Sequence, residues 1–238
     1  MKAWVCGLVL WGSVFGAVAD ELRVAVDAST EMPWTLASGN QLIGGLHYDL
    51  GVALANALGL HPRFLLLPRK RLTEALVRGE ADVACSLLPA WLPGPFDWTS
   101  NFLKQTDVVL TLRSAPAPAS LKDLAGQAIG TVNGFGYVEL DRVLGRDFVR
   151  DDAPSATANM NKLVIGRVKH AIVNDRVFDY QRRHGFVTVP LHPPLVVHHD
   201  ELGCAVSRRG HVTVAAMEPA IRALQASGKL RRVMAREY

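Results

Sequence analysis

Gly134-Phe135-Gly136-Tyr137 stands between a strand-like run and a helical one. Glycines leave backbone N–H groups unobstructed, and a helix start adds its positive dipole end, so this segment is a candidate cradle for an anion. The plainer reading is a glycine-rich turn that packing requires. It is not a nucleotide loop, because the Walker lysine is missing and GxGxxG is incomplete. Arg69-Lys70-Arg71 follows another apolar strand and can supply a cation, although charge runs are commonly solvated. Asp175 follows AIVN and precedes a helical run, a place where Asp caps well. His192, His198, His199, Asp200 and Glu201 are metal-type side chains, but their spacing fits no zinc signature and no metal is assigned. Nucleophilic catalysis has no support: there is no GxSxG, and no Ser or Cys is recognisably paired with His.

The elements that must position these residues alternate. Leu22 to Val26 reads as a strand. Leu46, Leu50, Ala53, Leu54, Ala57 and Leu58 give a helical period that stops at Gly59. Phe64 to Leu67 is a strand, Leu72 to Leu76 marks a helix ending at Gly79, and Ala81 to Ser86 is a third strand. This β-α-β-α-β order predicts a parallel sheet with right-handed crossovers. Asp107 to Leu112 is a further strand. The Pro- and Ala-rich stretch Arg113 to Ser120 then reads as an exposed, stiff connector.

A second α/β series follows. It has strands at Gln127 to Val132, Asp147 to Arg150, Ala171 to Val173 and Val187 to Leu191. Its helices run from Tyr137 to Leu144, from an N-cap at Ser155 to Gly166, and from Arg176 to His184. Gly203 to Ser207 is a return strand, and Val212 to Ala226 and Leu230 to Glu237 are closing helices. The chain thus reads as two β/α lobes: 20–112 with 203–238, and 113–202 with the hinge crossings. A cleft lies between them, where open α/β folds bind ligands.

The N-terminus reads as a secretory signal. Lys2 is the positive region, Val5 to Val18 is apolar, and Ala17-Val18-Ala19 is a small-x-small cleavage site. The run is too short for an anchor and no Cys follows it, so a soluble, periplasmic chain cleaved after Ala19 is expected. Cys6 leaves with the signal. Cys85 and Cys204 sit in apolar runs and read as two buried thiols, with a disulfide as the alternative that export allows. The net charge of +4 and the absence of a long basic run give no reason to expect nucleic acid.

Several segments resemble family 3 of the periplasmic solute-binding proteins, the polar amino acid transport type. They are LRVAVDASTEMPW, GGLHYDLGVALANALGL, LTEALVRGEADVACSLLP, FDWTSNFL, LKDLAGQAIGTVNGFGY, KLVIGRVKHAIVNDRVFDY, GCAVS and GKLRRVMAREY. The resemblance spans nearly all of the exported chain. It implies a two-lobed periplasmic-binding-protein type II fold, with two open β/α sheets joined by two crossover strands. It also implies a monomer without cofactor that captures a small polar or zwitterionic solute for an ABC permease.

Carried over residue by residue, the resemblance assigns the ligand's carboxylate to Gly134, Phe135, Gly136 and Tyr137, and its ammonium to Asp175. Asp27, at the end of the first strand, points to the cleft or caps a loop. Trp34 walls the cleft or plugs the lobe. The sequence departs from the family in SLLPAWLPGPFDW, where relatives have an Arg for the carboxylate and this chain has Trp91 and no Arg. Arg69 is then the substitute from another loop. Trp91 as a wall suits a less polar ligand. Thr30 and Glu31 stand where relatives place a stacking aromatic. Two other roles stay open: a dehydratase or lyase, for which Glu31 is the one nameable acid, and a ligand sensor.

Overall fold

The computed structural model describes residues 21–238; the segment that the sequence marks as a secretory signal lies outside them. The chain begins with β1 (Glu21–Asp27), a hairpin of β2 (Leu36–Ser38) and β3 (Gln41–Gly44), and α1 (Leu46–Leu58). Then come β4 (His61–Leu67), α2 (Arg69–Arg78), β5 (Val83–Leu87), β6 (Asp97–Trp98) and β7 (Leu103–Thr111). The second series is β8 (Ala128–Val132), α3 (Val138–Leu144), β9 (Val149–Ala153), α4 (Ala156–Val164), β10 (His170–Asn174) and α5 (Asp175–Arg183). The chain returns through β11 (Leu195–Val206) and ends with α6 (Val214–Ala226) and α7 (Lys229–Met234).

Strand order is β4-β1-β5-β11-β7-β10-β8-β9, with β6 also on β11. The two outer thirds are parallel, β4-β1-β5 and β10-β8-β9, as right-handed crossovers require. Between them β7 and β11 run antiparallel. β11 exchanges partners between Leu202, opposite Leu103, and Gly203, opposite Leu87. These two strands are the links between the lobes.

α1 forms where the apolar period predicts it. Leu46, Leu50, Ala53 and Leu54 are buried, and Gly59 closes the helix at φ 71°, where a side chain would be strained. α6 and α7 pack on α1, so Leu54, Met217, Ile221 and Leu224 share one core with β1. On the other face of that sheet, α2 contributes Leu72 and Leu76, which meet Leu92 and Phe96. In the second lobe, alternate residues of β10 serve opposite faces: Val173 packs with Leu163, and Ile172 with Ile129 and Leu140.

Three expectations change. The sequence puts the first crossing at Arg113 to Ser120. However, β7 already pairs with β10 through 107–111, and Arg113 N–H donates to Pro190 O, so that stretch lies within the second lobe. The boundary at 112/113 therefore moves toward Leu103, where β7 begins. Val187 to Leu191 forms no strand; Leu191 alone makes a bridge, to Leu112. The return strand instead starts at Leu195, because β7 offers a full antiparallel edge to polar residues as readily as to apolar ones.

For Cys85 and Cys204 the structure takes the disulfide alternative rather than two buried thiols. They are bonded, with S–S 2.01 Å. β5 and β11 place them directly opposite one another, with Cα atoms 3.9 Å apart, although 119 residues separate them in the chain.

Candidate functional site

β1 ends at Asp27, in the loop zone beyond the sheet's carboxyl edge. Asp27 is buried. Its Oδ1 accepts hydrogen bonds from Ser29 N–H at 2.9 Å and Ser29 Oγ at 2.7 Å. Its Oδ2 has no hydrogen-bond partner and lies 3.4 Å from Arg69 Nη1. Arg69 is the first residue of α2. Pro68 ahead of it has extended backbone and turns the chain into the helix. The guanidinium is largely buried, its Nε has no partner, and its Cζ sits 5.1 Å from the centroid of the Phe135 ring. Burial pulls its pKa below the ordinary arginine value, and the Asp27 charge opposes that shift. Lys70 and Arg71 are exposed, so only the first of the three basic residues turns inward.

Ser86, near the end of β5, holds φ at 62°, in a region that favours glycine. Its buried Oγ also lacks a partner. Asp27, Arg69 and Ser86 line one interlobe cavity of about 130 Å³. Backbone strain and unpaired buried polar atoms gathered in one cavity are what a ligand site predicts.

The second lobe supplies the opposite wall. Phe135, Gly136 and Tyr137 line the cavity. Gly134 takes φ 79° and approaches Arg69: a side chain there would meet Arg69 Cβ at 4.0 Å. The expected amide cradle is narrower than the sequence implied. Phe135 N–H is spent on Val132 O at 3.2 Å, and the Tyr137 hydroxyl accepts from Val132 N–H at 2.8 Å. Burial pushes the Tyr137 phenol above its ordinary pKa. Trp91 also lines the cavity and abuts Gly136, where a side chain would meet Trp91 Cδ1 at 3.8 Å.

Trp34 is buried, lines the cavity, and donates from Nε1 to Asn174 Oδ1 at 3.1 Å across the cleft. Asn174 is the N-cap of α5, and the same oxygen accepts from Arg176 N–H at 3.1 Å. Asp175 does not line the cavity. Its Oδ1 accepts from Arg176 N–H at 2.7 Å, and burial raises its carboxyl pKa. The cap and the cleft-facing position thus fall one residue earlier than the sequence reading placed them.

Further polar residues line the cavity that the sequence does not single out, among them Ser86, Asn174, His47 and Asp107. Burial pulls His47 down to about 4, with Asp27 opposing, so the ring is neutral near pH 7. Burial and then the nearby Asp200 push Asp107 up to about 6. Two sequence signals were present: Ser86 closes a strand at the edge where such folds bind ligands, and Asp107 opens the otherwise apolar DVVLTL. The histidine cluster is dispersed. His192 Nε2 pairs with Ala115 O, His199 Nδ1 with Thr106 Oγ1, and His198 lies 3.5 Å from Asp200.

No protein-family profile matches the chain, and no curated protein sequence matches it. Solved structures do. An amino acid ABC transporter substrate-binding protein, AbpA from Streptococcus pneumoniae, bound to L-arginine, superposes with TM-score 0.69 at 18% identity, over 90% of this chain and 92% of that one. A histidine kinase sensor domain with similarity to periplasmic binding proteins gives TM-score 0.74 at 21% identity, over 90% and 94%. The ancestral amino acid-binding protein AncCDT-1, a precursor of cyclohexadienyl dehydratase, gives 0.73 at 18%, over 90% and 93%. The cleft between Asp27 and Tyr137 is therefore built on the two-lobed fold of the periplasmic binding proteins.

Proposed function

We propose that this chain is an extracytoplasmic solute-binding protein. It encloses a small polar or zwitterionic solute, an amino acid or a relative of one, between its lobes and presents it to an ABC-type permease. The observation that carries the reading is the cavity in which Arg69 Nε, Asp27 Oδ2 and Ser86 Oγ are buried without hydrogen-bond partners. A guanidinium suits a carboxylate, a carboxylate oxygen suits an ammonium, and a hydroxyl serves either. Trp34, Trp91 and Phe135 wall the site, and the amides of Gly136 and Tyr137, which both line the cavity, assist at the carboxylate. Asp27 takes the ammonium role that the family resemblance gives to Asp175, since Asp175 lies outside the cavity.

Export fits this role. The segment up to Ala19 is proposed to be removed on secretion, leaving a periplasmic monomer. Among the described residues no helix is long and apolar enough to cross a membrane.

A thermal-shift screen of amino acids and small amines, followed by calorimetry, tests the proposal. Arg69→Gln and Asp27→Asn are expected to weaken the hit by about 30-fold or more, and Asp175→Asn by less than about threefold. Unchanged affinity in Arg69→Gln, with the fold intact, would overturn the site.

A further inference from the structure

We infer that His47 is a specificity-determining residue of the cavity: its Nε2 is held as an unprotonated acceptor, so the solute must place an N–H or O–H donor there. This rests on the solute-binding reading above and names a binding group of that same cavity.

A count of protons along one chain of hydrogen bonds sets the polarity. The Asp27 backbone oxygen carries no proton, and Thr30 Oγ1 lies 2.7 Å from it, so the Thr30 hydroxyl donates. A hydroxyl has one proton to give. Thr35 Oγ1 lies 2.7 Å from Thr30 Oγ1 and is therefore the donor of that pair. Its proton is then spent as well. Thr35 Oγ1 is 3.1 Å from His47 Nδ1 and can only accept there, so Nδ1 carries the hydrogen. If the relay ran the other way, Thr30 Oγ1 and Asp27 O would face each other at 2.7 Å with no proton between them.

A neutral imidazole holds a single N–H, and burial keeps this ring neutral near pH 7. With the hydrogen on Nδ1, Nε2 is left with a bare lone pair. His47 lines the cavity, and its side-chain hydrogen bond among the described residues is the one to Thr35. Nε2 is thus the nitrogen left for a solute.

The ring is held in place from several sides. His47 is the second residue of α1. Its backbone N–H donates to Trp34 O at 2.9 Å, and the two ring centroids are 5.3 Å apart. Gly45, at φ 93°, permits this approach: a side chain there would meet Trp34 O at 2.6 Å. Thr35 is buried, so water has little access to the relay. Thr30 stands where the sequence departs from the family it resembles, and the relay gives that departure a role. The Asp27 charge acts on the ring, and Asp27 Oδ2 is a second partnerless acceptor of the cavity. An ammonium, with three N–H groups, can serve both. A carboxylate, carbonyl or ether at His47 would set acceptor against acceptor and is excluded from that end.

Long-range proton–nitrogen NMR of the histidine-labelled wild-type chain near neutral pH reads the tautomer with no ligand present. The His47 signals are identified by their loss in His47→Asn. Hydrogen on Nδ1 and a bare Nε2 are expected. In Thr35→Val, which lacks the hydroxyl, the hydrogen is expected to move toward Nε2. Hydrogen on Nε2 in the wild type, an imidazolium, or an unchanged tautomer in Thr35→Val would each overturn the inference. The standard L-amino acid that binds most tightly by calorimetry is then added to saturation. The Nε2 signal is expected to move toward its protonated position while Nδ1 stays. His47→Asn keeps an N–H for Thr35 but drops the cavity acceptor, and is expected to bind that amino acid about fivefold or more weakly. An unmoved Nε2 signal or unchanged affinity in a folded His47→Asn would overturn the role. Tight binding with the wrong tautomer leaves the solute-binding reading standing and removes His47 from it. If the folded wild-type chain binds none of the amino acids, both fall together. The NMR arms on the wild type need no folded variant beyond the assignment, so poor folding of Thr35→Val does not rescue the inference.

Discussion

Thr157 and Glu31 are 126 residues apart in the chain, and the Thr157 backbone N–H donates to the Glu31 carboxylate at 2.5 Å. Glu31 belongs to the loop after β1, and Thr157 to the first turn of α4, where a carboxylate also meets the positive end of the helix dipole. The bond spans the cleft and favours closure with no ligand atom taking part. Glu31→Ala is expected to weaken ligand binding about fivefold, the equivalent of about 1 kcal/mol for an exposed charge-assisted bond. Calorimetry reads the affinity. Small-angle scattering is expected to show a larger radius of gyration than wild type; an unchanged radius and affinity would remove Glu31 from closure.

The disulfide is a second expected outcome. Apart from Cys6, the cysteines of the chain are Cys85 and Cys204, and these two are bonded. In denaturant without reductant a chain beginning at Asp20 should show no free thiol, and after reduction two. Cys85→Ser with Cys204→Ser is expected to cost about 2–4 kcal/mol of stability in urea titration, because the bond closes a long loop.

Asp82 holds the start of β1 to the turn after β11. Its fully buried carboxylate accepts from Arg23 N–H, Nε and Nη2 at 2.8, 3.0 and 2.6 Å, and from His211 N–H at 2.7 Å. Asp82→Ala leaves these donors without an acceptor. It is expected to destabilise the chain by about 3 kcal/mol, read as a lower urea midpoint at unchanged slope.

Stability should respond to pH through Asp107. Its pKa is about 6 in the fold against an ordinary 3.8, so the folded chain holds that proton more tightly than the unfolded chain. Stability from this group is therefore full below pH 3.8 and is lost as pH rises through about 6. Asp107→Asn cannot ionise. It should melt at the same temperature as wild type near pH 3.8, and a few degrees higher above pH 6, in scans made without ligand. A difference of the opposite sign would show that Asp107 has a cationic partner within the chain.

Local elements were legible because local forces set them. The Leu46 to Leu58 period and Gly59 define α1 in one stretch of chain, and Ser155 caps α4 by accepting from Ala158 N–H three residues on. The order of strands and helices likewise implied two parallel sheets, since a helix between strands leaves little other choice. What the sequence by itself determined was therefore the fold class, the loop edge that carries the site, and Arg69 and Asp27 as candidates.

Tertiary structure decided the rest, because those facts depend on which strand lies beside which. Val187 to Leu191 is β-prone yet forms no ladder beyond the single bridge of Leu191 to Leu112, whereas the polar HHDE segment is strand because β7 lies alongside. Cys204 meets Cys85 only through the register of β11 on β5. Asn174, rather than Asp175, faces the cavity because successive side chains at a strand end point to opposite sides, so a shift of one residue reverses the assignment.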